Sequence, residues 1–186
     1  MRHDNRTGRV SGVRWAPSPN FDQRPAGARI NALVVHCISL PPGRYGGGEI
    51  ERFFHNRLDH HEHPYFEEIR GMRVSAHFLV ERSGRPVQFV STLDRAWHAG
   101  RSVLHGVEEV NDFSIGIELE GVDDDGFTED QYASLAALSR ALLDAYPEID
   151  CSRVVGHCDI APGRKTDPGP GFDWRRYQRE AGFAGR

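Results

Sequence analysis

Eight residues, Phe113-Ser-Ile-Gly-Ile-Glu-Leu-Glu120, alternate strictly between apolar and polar or small side chains. In an extended strand successive side chains point to opposite faces. Phe113, Ile115, Ile117 and Leu119 therefore share one face, and Ser114, Gly116, Glu118 and Glu120 share the other. A second run, Asn31-Ala-Leu-Val-Val-His-Cys-Ile38, is short, apolar and β-branched, and Pro41-Pro42-Gly43 bounds it downstream. It reads as a buried strand ending at His36 or just after. With 186 residues, the chain is long enough for one domain with a real core and too short to split comfortably into two.

The remaining segments interleave helices with these strands. Val74–Val80 and Pro86–Val90 flank a turn at Arg82-Ser-Gly-Arg85 and read as a β-hairpin. Gly46-Gly47-Gly48 leads into Glu49–Phe54, where Ile50, Phe53 and Phe54 fall at helical spacing. Thr128 with Gln131 forms a capping box. It opens a helix whose Tyr132, Leu135, Leu138, Leu142 and Tyr146 make an apolar stripe before Pro147. A last short strand, Arg153–Gly156, runs into His157, followed by a Pro/Gly-rich loop to residue 171 and an amphipathic segment around Trp174 and Tyr177. Residues 1–29 are polar and broken by Pro17, Pro19 and Pro25, so an irregular arm packed on a domain of residues 30–186 is expected. The class is α/β, a single domain with a central mixed sheet flanked by helices.

Composition excludes several function classes. Hydrophobic residues are 38% and charged residues 27% of the chain, as in a soluble globular protein. Twenty-three Lys+Arg against 27 Asp+Glu give a net charge of -4, without the basic surplus of a nucleic-acid binder. No apolar run approaches the ~20 residues that span a bilayer. Residues 1–12 carry no apolar stretch of signal-peptide length. Three widely spaced cysteines, Cys37, Cys151 and Cys158, suit a reducing compartment better than a disulfide framework. The expectation is a cytoplasmic monomer with neither a nucleic-acid nor a membrane partner.

Ten histidines offer many metal ligands. Asp59-His-His-Glu-His63 lacks HExxH spacing, and Pro64 stops a helix from stacking its rings, so it reads as a solvated stretch. His36 and His157 each close a strand and can converge across a sheet. Asp167 lies in Gly163-Arg-Lys-Thr-Asp-Pro-Gly-Pro170, where prolines and glycines restrict the path of the chain. Two imidazoles and a carboxylate suit Zn²⁺ and leave a fourth tetrahedral position, the composition of a catalytic site. Cys158 is a rival ligand, but adjacent strand residues point apart. A zinc hydrolase also needs a base and a cation for the developing oxyanion. Glu118 and Glu120 share the polar strand face, so spacing does not choose between them; Lys165, two residues before Asp167, is the candidate cation.

Five segments together resemble one family: Val34–Gly43, Arg73-Val-Ser-Ala-His77, Ala96-Trp-His-Ala-Gly100, Asn111–Gly121 and Gly156–Pro170. They are similar to the AmpD family of cytoplasmic 1,6-anhydro-N-acetylmuramyl-L-alanine amidases of Gram-negative bacteria. These are zinc amidases related to phage-type lysozyme amidases and peptidoglycan-recognition proteins. The likeness runs in order from about Trp15 to Trp174. It implies that His36, His157 and Asp167 hold zinc, that Glu118 is the catalytic glutamate, and that Lys165 stabilises the tetrahedral intermediate. It further implies cleavage of the amide between the lactyl group of anhydro-MurNAc and L-Ala of the stem peptide. That reaction recycles cell wall fragments and lowers the muropeptide signal for AmpC-type β-lactamase induction.

Because such a substrate carries peptide carboxylates, Arg73 is the candidate fixed cation of the pocket. His77 and His98 are candidate substrate-lining groups. Two positions depart from the family pattern: Cys37 stands where Asn follows the first zinc histidine, and Glu109 where Arg precedes the Asn-Asp-Phe motif. Both bear on how the peptide or sugar is held. The alternatives are a general N-acetylmuramoyl-L-alanine amidase acting on intact peptidoglycan, and a non-catalytic muropeptide-binding module.

Overall fold

The computed structural model describes residues 1–183. Its centre is a six-stranded mixed sheet in the order Val154–Gly156, Ala32–Ile38, Ser114–Glu120, Phe78–Val80, Pro86–Gln88, Arg14–Trp15. The first four strands run parallel, Pro86–Gln88 is antiparallel to Phe78–Val80, and Arg14–Trp15 is parallel to Pro86–Gln88. The α/β class with a mixed sheet and flanking helices holds, as does the hairpin, although regular pairing starts at Phe78 rather than Val74.

The two seven-residue strands lie side by side at the centre, with Glu118 level with His36. Their odd-numbered residues, Leu33, Val35, Ile115, Ile117 and Leu119, pack with Leu135, Leu138 and Leu142 of the helix Glu129–Ala145 and with Tyr177 of the helix Trp174–Ala181. The Thr128–Gln131 capping box opens the longer helix as expected. Fully burying each leucine contributes about 1.5–3 kcal/mol, so this face carries much of the stability. The opposite face is buried as well: all seven residues of Ser114–Glu120 are buried. There the cover comes partly from the segment around Ala99, Leu104 and Val110 and partly from the short helices Glu49–Phe54 and Pro64–Glu68. A parallel strand at a sheet centre is covered on both sides, so its polar face becomes the floor of an interior space. No helix among the described residues is long and apolar enough to cross a membrane.

Two local expectations change. Residues 1–29 carry four two- or three-residue strands instead of an irregular arm. Gln88 fastens this segment, its Oε1 accepting the Val10 N–H at 3.0 Å and its Nε2 donating to the Gly8 carbonyl at 2.7 Å. Strands this short have no side-chain period to read. His157 does not close a strand; it opens the short helix His157–Ile160 immediately after Gly156. Asp159 Oδ2 accepts the Gly156 N–H at 2.7 Å and turns the chain there. Alternation therefore does not separate Cys158 from His157, but Cys158 lies outside the group formed by the two histidines and Asp167.

Candidate active site

The C-terminal ends of the two central strands open into a cavity of about 450 Å³, within the range of small-molecule sites. Phe53, Phe54, Tyr65, Ile69 and Met72 form an apolar wall. Glu118, His157, Lys165, Asp167 and His98 bring the polar groups. His36 lies beneath them, 1% exposed.

His36 Nδ1, His157 Nδ1 and Asp167 Oδ2 converge at separations of 2.9, 3.1 and 3.2 Å. The surrounding hydrogen bonds fix what those atoms offer. Ser114 Oγ donates to the Val110 carbonyl at 2.6 Å, so it accepts from His98 Nε2 at 3.2 Å. His98 Nδ1 is then bare and accepts the Nε2 proton of His36 at 3.0 Å. His157 Nε2 donates to the Ala99 carbonyl at 3.0 Å. As neutral tautomers both rings direct their N–H away from the cavity, and burial pushes His36 down to about 4. Two imidazole lone pairs and a carboxylate oxygen thus face one point with no proton between them. Tetrahedral zinc with bonds of about 2.0–2.1 Å holds its ligand atoms about 3.3 Å apart, so the donor set and its spacing fit a metal ion.

Local sequence explains the placement. A Cβ on Gly116 would lie 2.4 Å from His98 Cγ, so only glycine leaves the floor open for that ring. Asn111 Oδ1 accepts the N–H groups of His98 and Ala99 at 3.2 and 2.8 Å, which fixes the backbone that carries both partners. The loop bearing Lys165 and Asp167 is tied down by Cys158 N–H to the Asp167 carbonyl at 2.9 Å and Lys165 N–H to the Ala161 carbonyl at 3.0 Å. Gly169, at φ +78°, passes where a Cβ would lie 2.4 Å from Asp123 Cα.

The structure separates the two strand carboxylates. Glu118 is 9% exposed, lines the cavity, and its Oε2 has no hydrogen-bond partner among the described residues. Burial pushes its carboxyl well above the usual 4.5; the charge of Asp167 adds to this and Lys165 opposes it. Glu120, on the same strand face, does not line the cavity and accepts backbone N–H groups from Gly46 and Arg82 at 2.6 and 2.9 Å. Lys165 is exposed at the cavity.

The expected substrate-lining groups divide. His98 lines the cavity, but both of its ring nitrogens are engaged by His36 and Ser114. His77 does not line it: the ring is fully buried, Nδ1 accepting the Gly116 N–H at 3.1 Å and Nε2 donating to the Asp94 carbonyl at 3.1 Å. It supports the floor from behind, because the sheet and the 92–98 segment close over it. Arg73 is exposed, between the lining residues Met72 and Val74. Of the two departures, Cys37 lines the cavity and donates its thiol hydrogen to Asp123 Oδ1, while Glu109 does not line it.

Sequence reasoning missed Arg24. Its guanidinium donates to the carbonyls of Thr92, Asn111, Asp112 and Ser114 at 2.8–3.3 Å. Burial lowers it to about 10. It joins the segments that hold His98 and the strand of Glu118, and no local pattern marks one arginine in a polar stretch for that role.

A family model described as N-acetylmuramoyl-L-alanine amidase matches residues 26–170. The chain is 53% identical over 174 residues to the 1,6-anhydro-N-acetylmuramyl-L-alanine amidase AmpD of Haemophilus influenzae, across 94% of this chain and 95% of that one. A crystal structure of a selenomethionine AmpD derivative is 50% identical and superposes with a TM-score of 0.93, covering 97% of this chain and 99% of that chain. The amidase AmiD from E. coli, solved with anhydro-N-acetylmuramic acid-L-Ala-D-gamma-Glu-L-Lys as substrate, is 30% identical with a TM-score of 0.60. That match covers 85% of this chain and 60% of AmiD.

Proposed function

Since the chain belongs to the N-acetylmuramoyl-L-alanine amidase family, we propose that it hydrolyses the amide between the lactyl group of 1,6-anhydro-N-acetylmuramic acid and L-Ala of the stem peptide. The reaction is zinc-dependent, with His36, His157 and Asp167 as ligands. It serves cell wall recycling in the cytoplasm and so lowers the muropeptide signal for β-lactamase induction. One observation carries the reading: two imidazole nitrogens and a carboxylate oxygen meet within about 3 Å beside a buried carboxylate with an oxygen that has no partner among the described residues.

Held by His36, His157 and Asp167, a zinc ion would supply Lewis acidity and lower the pKa of water toward neutrality. The chain's residues do the rest. Glu118 takes the proton from water as it attacks. Burial raises its pKa and so makes it a stronger proton acceptor than an ordinary carboxylate, and it returns that proton to the L-Ala nitrogen as the amide breaks. Lys165 brings an ammonium to the oxyanion, and losing one such contact typically costs about 10²–10³ in rate. His98 holds the His36 ring so that Nδ1 faces His157 Nδ1 and Asp167 Oδ2, and Ser114 fixes His98 in turn. The apolar wall and the partial burial of Glu118 and Asp167 exclude water from the reacting centre. Arg73 is the residue that would meet a peptide carboxylate, a reading supported by its exposure between the lining residues Met72 and Val74.

Purified protein given anhydro-MurNAc-tripeptide and, separately, intact sacculi tests the substrate assignment. Release of tripeptide from the anhydro fragment at a rate far above that from sacculi is the expected result. Equal turnover of both means a general amidase, and tight binding of the fragment without product means a binding module.

A further inference from the structure

The strand that carries Glu118 ends two residues later on a second carboxylate that the reaction does not use. Glu120 is 5% exposed, and each of its oxygens accepts one backbone N–H from a different part of the chain. Oε1 takes Gly46 at 2.6 Å and Oε2 takes Arg82 at 2.9 Å. Bonds from amides to a charged acceptor are the stronger kind, and a carboxylate with both oxygens engaged holds its donors in fixed relation.

The two donors belong to the frame of the cavity. Gly46 lies in the loop that leaves the strand of His36 and contributes Ser39, Leu40 and Pro42 to the cavity wall. Arg82 reaches the loop that leaves the strand of Glu118 and contributes Val122, Asp123 and Asp124. Its guanidinium donates to the Gly126 carbonyl at 2.9 Å and lies 4.7 Å from the ring centre of Tyr45. Tyr45 Oη in turn donates to Asp125 Oδ2 at 2.8 Å. Thr128 Oγ1 donates to the Arg82 carbonyl at 2.9 Å, so the turn is anchored to the capping residue of the long helix.

We propose that Glu120 is a positioning residue: with Tyr45 and Arg82 it latches the 39–48 loop to the 121–126 loop and so sets the width of the substrate cavity. The inference rests on the amidase reading for its substrate, not for its geometry. The metal ligands and Lys165 are held by other bonds, so loosening the latch weakens substrate fit while leaving the chemistry in place. Tyr45→Phe removes one hydroxyl at a half-buried site, and Glu120→Gln replaces one accepting oxygen with an amide nitrogen that cannot accept.

The test uses the zinc-loaded full chain, with anhydro-MurNAc-tripeptide as substrate and hydrogen exchange measured without substrate. Losing one net hydrogen bond corresponds to about a two- to tenfold effect. Tyr45→Phe is expected to raise KM by that factor with kcat within about twofold, and Glu120→Gln to raise it at least as much. Exchange should rise in residues 39–48 and 121–126 together. An unchanged KM in Tyr45→Phe, or exchange that rises in one loop alone, overturns the latch even if both variants are less stable. If the wild-type protein does not cleave the tripeptide, the amidase reading fails, and the paired exchange still decides the latch.

Discussion

Glu118→Gln should make the metal-free protein more stable while nearly abolishing turnover. The carboxylate is 9% exposed, and one oxygen has no hydrogen-bond partner among the described residues. Burial, reinforced by the charge of Asp167 and opposed by Lys165, raises its pKa well above the usual 4.5. Below that unfolded value the group is protonated in both states and costs nothing. As pH rises from there toward the raised folded value, the unfolded chain ionises more readily than the native one and stability is progressively lost. An unsatisfied buried polar group costs about 1–3 kcal/mol, more when charged, and in a domain of this size each kcal/mol moves Tm by about 2–4 °C. A neutral amide of nearly the same shape should therefore raise Tm by about 2–12 °C at pH 7.5 in the presence of a chelator. The gain should be smaller at pH 5, close to the unfolded value below which it vanishes. Removing the base should lower kcat by about 10²–10⁴ in the zinc-loaded enzyme. Scanning calorimetry of both chelated proteins at the two pH values gives the answer. A variant no more stable than wild type at pH 7.5, or a gain that persists undiminished at pH 5, would refute the claim that burying the Glu118 carboxyl costs folding stability above its unfolded pKa.

Asp167→Ala should lose both zinc and activity, read by elemental analysis after dialysis; a full equivalent of retained metal contradicts its assignment as a ligand. Gly116→Ala drives a Cβ into His98. It should cost about 1–3 kcal/mol by overpacking and weaken zinc binding about 10–100-fold; unchanged affinity in a chelator competition would break the proposed link from His98 to His36. Leu138→Ala, under the covered sheet face, should cost about 2–5 kcal/mol in denaturant unfolding without changing KM. A loss below 1 kcal/mol would mean that this face is not the main core.

The alternating strand at residues 113–120 made half of the core and the floor of the site legible before any coordinates. One set of side chains meets the long helix, and the other bears Glu118 and leaves space at Gly116. The same regularity could not choose between Glu118 and Glu120, because period two puts both on one face. What separates them is the partners of Glu120, Gly46 and Arg82, 74 and 38 residues away in sequence. His157 was misplaced onto a strand end because a three-residue strand running into a one-turn helix carries no period. Arg24 and the paired strands of the N-terminal segment stayed invisible for a related reason: their bonds go to backbone carbonyls and to Gln88, which leave no composition signature. Of the apolar wall, Phe53 and Phe54 read only as residues at helical spacing, since a residue that lines a cavity and one that fills a core look alike in sequence.

The central claim is a zinc amidase acting on anhydro-muropeptides, and mass spectrometry of purified protein with anhydro-MurNAc-tripeptide tests it most directly. Free tripeptide should appear, vanish with a zinc chelator, and return when zinc is restored. Intact substrate under zinc-replete conditions, or cleavage that survives complete removal of the metal, would contradict the account.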